Sequence, residues 1–187
     1  MVQHTCGMNN DFKTVLRLFV DLCLIKKGPQ DVPDSTILLK AVFFIYFLSG
    51  SLLLSSSMAF GEAVVQSFIE TILLGLFVYI LLSFFALKNR FNQSVTAIYG
   101  SGALITVISA PFVFLMGGMT GSEGSTGVLG LVVFLIVCWS FAVLANIIRQ
   151  TIQKSLGVSL LLTFCYLYLS YHVIQLIYPV EAALVAQ

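Results

Sequence analysis

Five long apolar runs dominate this chain, separated by short polar breaks: Thr36–Ser55, Ala63–Leu87, Val95–Met116, Gly127–Ile148 and Leu156–Tyr178. About 20 largely apolar residues cross the roughly 30 Å hydrocarbon layer as a helix. An unpaired backbone amide in lipid costs several kcal/mol, so each run must satisfy its own amides internally. The pattern predicts an all-α, polytopic membrane protein with five transmembrane helices. Ahead of them, Asp11 to Lys27 is too short and too charged to cross. Lys13, Arg17 and Asp21 recur every four residues on one face, and Leu16, Phe19, Val20, Cys23 and Leu24 fill the rest. Such a segment suits a short amphipathic helix lying in the interface, its cations near lipid phosphates. The alternative is a segment packed on the ends of the bundle.

Punctuation refines this plan. Gly28-Pro29 is expected to stop the leading helix, glycine accepting a left-handed cap and proline barring continuation. Asp34 or Ser35 can cap the next helix by accepting an orphan backbone N–H. Pro111 should kink the third span or end its regular helix. The stretch from Gly117 to Gly127 carries five glycines and reads as a flexible loop. The organisation expected is an amino-terminal segment over 1–35, a five-helix bundle over 36–178 and a tail over 179–187.

Composition agrees. Apolar residues make up 59% of the chain, charged residues 9%, and mean hydropathy is +1.03. A soluble domain carries about a quarter charged residues, so this chain could not cover its surface with polar groups. Net charge is +1, which implies no nucleic-acid partner. The four cysteines, Cys6, Cys23, Cys138 and Cys165, show no paired spacing, so neither a disulfide framework nor a metal pattern follows. The polar start lacks an apolar core with a cleavage site, so no cleaved signal peptide is expected.

The placement of charge says more than its total. Lys13, Arg17, Lys26, Lys27 and Lys40 precede or open the first run. Lys88 and Arg90 lie between the second and third, and Arg149 and Lys154 between the fourth and fifth. Lys and Arg are retained on the cytoplasmic side. The amino terminus is therefore expected inside and the carboxy terminus outside, in a bacterial inner membrane or, alternatively, an endoplasmic reticulum or Golgi membrane.

With the cations assigned to topology, polar residues within the spans become the candidate chemistry. Glu70 lies about two turns into the second span from the outside, with Gln66 one turn away on the same face. His172 lies about two turns inside the outer end of the fifth, with Gln175 a turn nearer the surface. At 1.5 Å per residue both Glu70 and His172 sit roughly 10 Å below the outer interface. A carboxylate at mid-bilayer costs about 3 kcal/mol or more, so it should face the bundle, be paired or be protonated. Two readings stay open: a proton-linked or substrate pocket around Gln66, Glu70, His172 and Gln175, or an interhelical hydrogen bond worth about 1 kcal/mol that fixes packing. Lys13, Arg17, Phe19, Lys26, Lys27 and Asp31 are the candidate contacts to a partner or to lipid headgroups.

No Gly-rich phosphate loop, metalloprotease helix or nucleophile elbow appears, and two histidines are too few for a His-rich metal or haem site. The expectation is a non-enzyme without a cofactor. The basic loop Lys88-Asn89-Arg90, the span opening Ala97-Ile98-Tyr99-Gly100-Ser101 with Pro111 beyond it, and the lead segment from Leu22 to Pro33 carry a family likeness. In these features, from about Phe12 to Tyr178, the chain resembles the Yip1-like integral membrane protein superfamily, specifically its bacterial members. The resemblance implies a cytosolic amino terminus, five closely spaced helices and short loops. The function expected is a membrane scaffold or accessory subunit that contacts lipid and either a membrane-protein partner or further copies of itself. The alternative is a small proton- or ion-linked transporter or channel with a pocket around Glu70 and His172.

Overall fold

The apolar runs form helices, and the polar breaks between them are where the chain turns. The computed structural model describes the backbone of residues 4–118 and 123–177, with side chains described for 13–116 and 127–177. Six helices follow in order: α1 (His4–Cys23), α2 (Thr36–Leu54), α3 (Phe60–Phe84), α4 (Phe91–Gly118), α5 (Glu123–Ile152) and α6 (Leu156–Ile177). Short 3-10 turns stand at Pro29–Asp31 and Lys88–Arg90, and there is no strand among the described residues. Five helices, α2 to α6, are long and apolar enough to cross a membrane. The protein is therefore an all-helical, multi-pass integral membrane protein. The expected tail over 179–187 and the middle of the glycine-rich loop lie outside the described residues.

The five spanning helices close a ring. α2 packs on α3 and α4, α4 on α5, α5 on α6, and α6 returns to α3. Contacts between distant loops gather one set of helix ends: Asn92 Nδ2 donates to Asp34 Oδ1 at 3.0 Å, and Gln30 Nε2 donates to Gln150 Oε1 at 3.4 Å. Lys88, Arg90, Arg149 and Lys154 belong to this same basic end. Packing is densest there. On α5 the buried side chains are Val143, Ala145, Asn146, Ile147, Ile148, Thr151 and Ile152, all in its last turns. Leu82, Val95 and Ile147 join one apolar core with Leu22 of α1.

Several boundaries differ from the expectation. α1 stops at Cys23 rather than at Gly28, because Ile25 takes the left-handed conformation (φ 61°). Its N–H bonds Leu22 O, and the Lys26 N–H bonds Asp21 O, the paired closure of a Schellman end. Ala86 (φ 55°) and Gln153 (φ 54°) follow the ends of α3 and α5 in the same left-handed conformation. Ser35, not Asp34, caps α2, its Oγ accepting from Leu38 N at 3.4 Å. Asp31 caps locally, its Oδ2 accepting from Gly28 N at 2.9 Å. Pro111 does not end α4, which continues to Gly118. Proline forfeits one backbone bond, a loss that helices within a bundle tolerate.

Of the two placements expected for α1, its contacts favour the one packed on the bundle. It docks on α4 and α5 rather than resting on lipid alone. Phe19 and Leu22 are buried, and the Phe19 ring lies on Gly100, where an added Cβ would collide with it. The Cys23 carbonyl is left without a helical donor at the end of α1, and Trp139 Nε1 supplies one at 3.0 Å. The Cys23 thiol donates to Ser101 O at 3.6 Å, and burial pushes its pKa up to about 11. Lys13, Arg17, Leu16 and Val20 stay exposed on the other face, so α1 is amphipathic with its buried side turned to protein.

Candidate functional site

Midway along the helices the packing turns polar. α6 directs Ser159, Thr163, Tyr166 and Ser170 inward, positions spaced by four, three and four that make a single stripe of hydroxyls. α3 contributes Ala63, Ser67, Thr71, Leu74 and Val78 in the same rhythm. Both hydroxyls of this set find a carbonyl: Ser67 Oγ donates across to Phe47 O of α2 at 2.8 Å, and Thr71 Oγ1 donates to Ser67 O at 2.7 Å. Tyr99 of α4 reaches the α3 backbone, its Oη donating to Thr71 O at 2.7 Å. That approach requires glycine. A Cβ at Gly75 would stand 2.6 Å from the Tyr99 hydroxyl. Tyr99 in turn stacks on Tyr46 of α2, ring centroids 5.2 Å apart.

Tyr46, Leu74, Tyr166 and Ser170 of this set line a cavity of about 510 Å³ to which all five spanning helices contribute. Its wall runs from Ile98 and Leu144 at mid-depth to Leu53, Val113 and Val133 towards the end opposite the cations. Most of the wall is aliphatic. The polar exceptions are Tyr46, Tyr166, Tyr171, five Ser or Thr side chains and one carboxylate, Glu70. Gln66 Nε2 donates to Glu70 Oε1 at 3.0 Å, the hydrogen bond expected from their spacing of four. Glu70 is close enough to Tyr46 and Tyr166 to act electrostatically on both. It has no basic partner within salt-bridge distance among the described residues, where one ion pair, Lys27 to Asp21 at 3.4 Å, is formed.

His172 does not meet Glu70. It is exposed beside the rings of Tyr168 (4.4 Å) and Tyr171 (5.8 Å) and is not part of the cavity wall. Helix geometry explains the separation: α6 faces the cavity with Leu167, Ser170, Tyr171 and Ile174, and His172 lies about 200° around the helix from Ser170. Gln175 touches the site indirectly, its Nε2 donating to Tyr171 Oη at 2.6 Å. Of the amino-terminal candidates, Lys13, Arg17, Lys26, Lys27 and Asp31 are exposed, while Phe19 is used inside the chain.

Tyr46, Tyr166 and Ser170 are site residues that the sequence reading passed over. The hydroxyl stripe on α6 is the signal that could have found Tyr166 and Ser170, since a lipid-facing helix has no reason to space Ser, Thr and Tyr along one side. The arrangement can hold a proton on Glu70 or pair its carboxylate with a cation entering the cavity. No cluster of three or more metal-binding side chains occurs among the described residues. No family model, curated protein or solved structure matches the chain.

Proposed function

We propose that the protein is a small membrane carrier whose five-helix ring encloses a solute site centred on Glu70. One observation carries this reading: a carboxylate without a cationic partner among the described residues lines a cavity of about 510 Å³ inside the bundle. Ionisable groups at membrane depth are costly and mark solute or proton pathways. A scaffold would need no such group, and a packing role for Glu70 would turn it into a helix contact rather than towards open space. The dense core at the basic end and the cavity towards the other end support a carrier closed on one side.

The bias of Lys and Arg places the basic end in the cytoplasm, so the cavity opens outward and the amino terminus lies inside. This orientation is also the one that the Yip1-like resemblance implies, and a bacterial inner membrane fits both. The test is reconstitution in liposomes enclosing a pH-sensitive dye, to which small amines, amino acids and neutral solutes are added in turn. At least one solute should drive proton movement in the wild type, and Glu70→Gln should reduce it about tenfold or more. Equal dye responses in Glu70→Gln and wild-type vesicles would remove the proposal.

A further inference from the structure

From the wall of the Glu70 cavity we infer that its solute is a small organic monocation, an alkyl- or arylammonium ion held between the Glu70 carboxylate and the rings of Tyr46 and Tyr166. The inference rests on the carrier reading and narrows it to one chemical class. Charge sets the sign. Glu70 is the single charged group in the wall, and no Lys or Arg lines it, so an anion would meet only repulsion.

Size and surface set the rest. A bare metal ion needs six or more oxygens at about 2–2.6 Å, and one carboxylate in a largely aliphatic wall does not supply them. An organic ammonium ion carries its charge on a greasy body and matches such a wall. Its alkyl groups suit Leu74, Ile98 and Ile105, while its charge suits tyrosine faces, which attract cations electrostatically and do so most strongly when desolvated. Tyr46 and Tyr166 are also held in place: Tyr46 stacks on Tyr99, and Tyr166 packs on Phe77 with ring centroids 5.1 Å apart. The rings are thus fixed before any ligand arrives, which lowers the ordering cost of binding.

A proton and an ammonium ion compete for the same carboxylate, which gives the carrier its coupling without a second site. The other titratable groups around Glu70 are tyrosines, Tyr46 on α2, Tyr99 on α4, and Tyr166 and Tyr171 on α6, while α5 brings Ser140 and no ionisable side chain. Glu70 is the one carboxyl group among them, and tyrosines ordinarily titrate near pH 10.

The probe is radiolabelled benzyltrimethylammonium, measured by equilibrium binding to the full chain in lipid nanodiscs. Its uncharged carbon isostere, neopentylbenzene, serves as competitor. The expected result is saturable binding that strengthens as pH rises from 5 to 8, falls about tenfold or more in Glu70→Gln and is partly kept in Glu70→Asp. Tyr46→Leu should weaken it about three- to tenfold and Tyr46→Phe much less, because the ring face carries the attraction. Should Glu70→Gln not fold, Glu70→Asp and the wild-type pH series decide alone. Binding that is independent of pH, or neopentylbenzene displacing the probe at equal concentration, overturns the inference. Absent binding with Glu70-dependent proton flux driven by a neutral solute overturns the cation class and leaves the carrier. Absence of both removes the two together.

Discussion

Gly75→Ala paired with Tyr99→Phe tests whether α3 and α4 meet as described. The new methyl of Gly75→Ala would stand 2.6 Å from Tyr99 Oη, well inside contact distance, but 3.8 Å from Tyr99 Cζ, an ordinary contact. Overpacking of this kind costs about 1–3 kcal/mol. Tyr99→Phe alone removes the offending oxygen together with its bond to Thr71 O. Side-chain hydrogen bonds in membrane bundles average about 0.6 kcal/mol and reach about 1.7. The double variant should therefore be no less stable than Tyr99→Phe, because the methyl enters the space the hydroxyl leaves. Its coupling energy should favour the pair by about 1–3 kcal/mol, within the range seen for residues in contact. Reversible unfolding in bicelles, followed by steric trapping, measures all four corners of the cycle. Additive losses would show that Tyr99 does not reach the α3 backbone at Gly75.

Other perturbations probe the remaining elements. In a Cys6→Ser background, Cys23 should resist water-soluble maleimide at pH 8, where a pKa of about 11 leaves about one thiolate in a thousand against about a tenth for an ordinary thiol. Because burial raises that pKa from 9.0 in the ordinary thiol, its contribution to stability is complete below about pH 9 and is lost as pH rises towards 11; a Cys23→Ser variant should lack this alkaline loss in thermal melts. Phe19→Ala should loosen α1 and change the emission of Trp139, the single tryptophan, while speeding Cys23 alkylation; unchanged emission and labelling would place α1 elsewhere. Ile25→Gly relieves a left-handed β-branched residue and should stabilise the chain by about 1 kcal/mol in the same unfolding assay.

The length of the apolar runs made the five spans legible, with ends within four residues of those observed, because bilayer thickness dictates helix length whatever the packing. Single side chains were legible where local spacing decides the contact, as for Gln66 with Glu70. What stayed hidden depends on which helices are neighbours and how each is turned. His172 and Glu70 match in depth, yet depth fixes only one of three coordinates, and rotation about α6 separates them. α1 stayed open for a related reason: its apolar face suits lipid and protein equally, and only the glycine at position 100 and the indole of Trp139, far along the chain, decide between them.

That separation in sequence has a consequence for biosynthesis. The seat of α1 is built from Gly100 and Ser101 on α4 and from Trp139 on α5, and the Cys23–Trp139 bond spans 116 residues. At about 5–20 residues per second, α1 leaves the ribosome on the order of ten seconds before its seat is complete. During that interval Phe19 and Leu22 lack the partners that bury them in the finished fold. α1 is thus an amphipathic helix still awaiting its seat in the nascent chain and a docked helix in the finished protein.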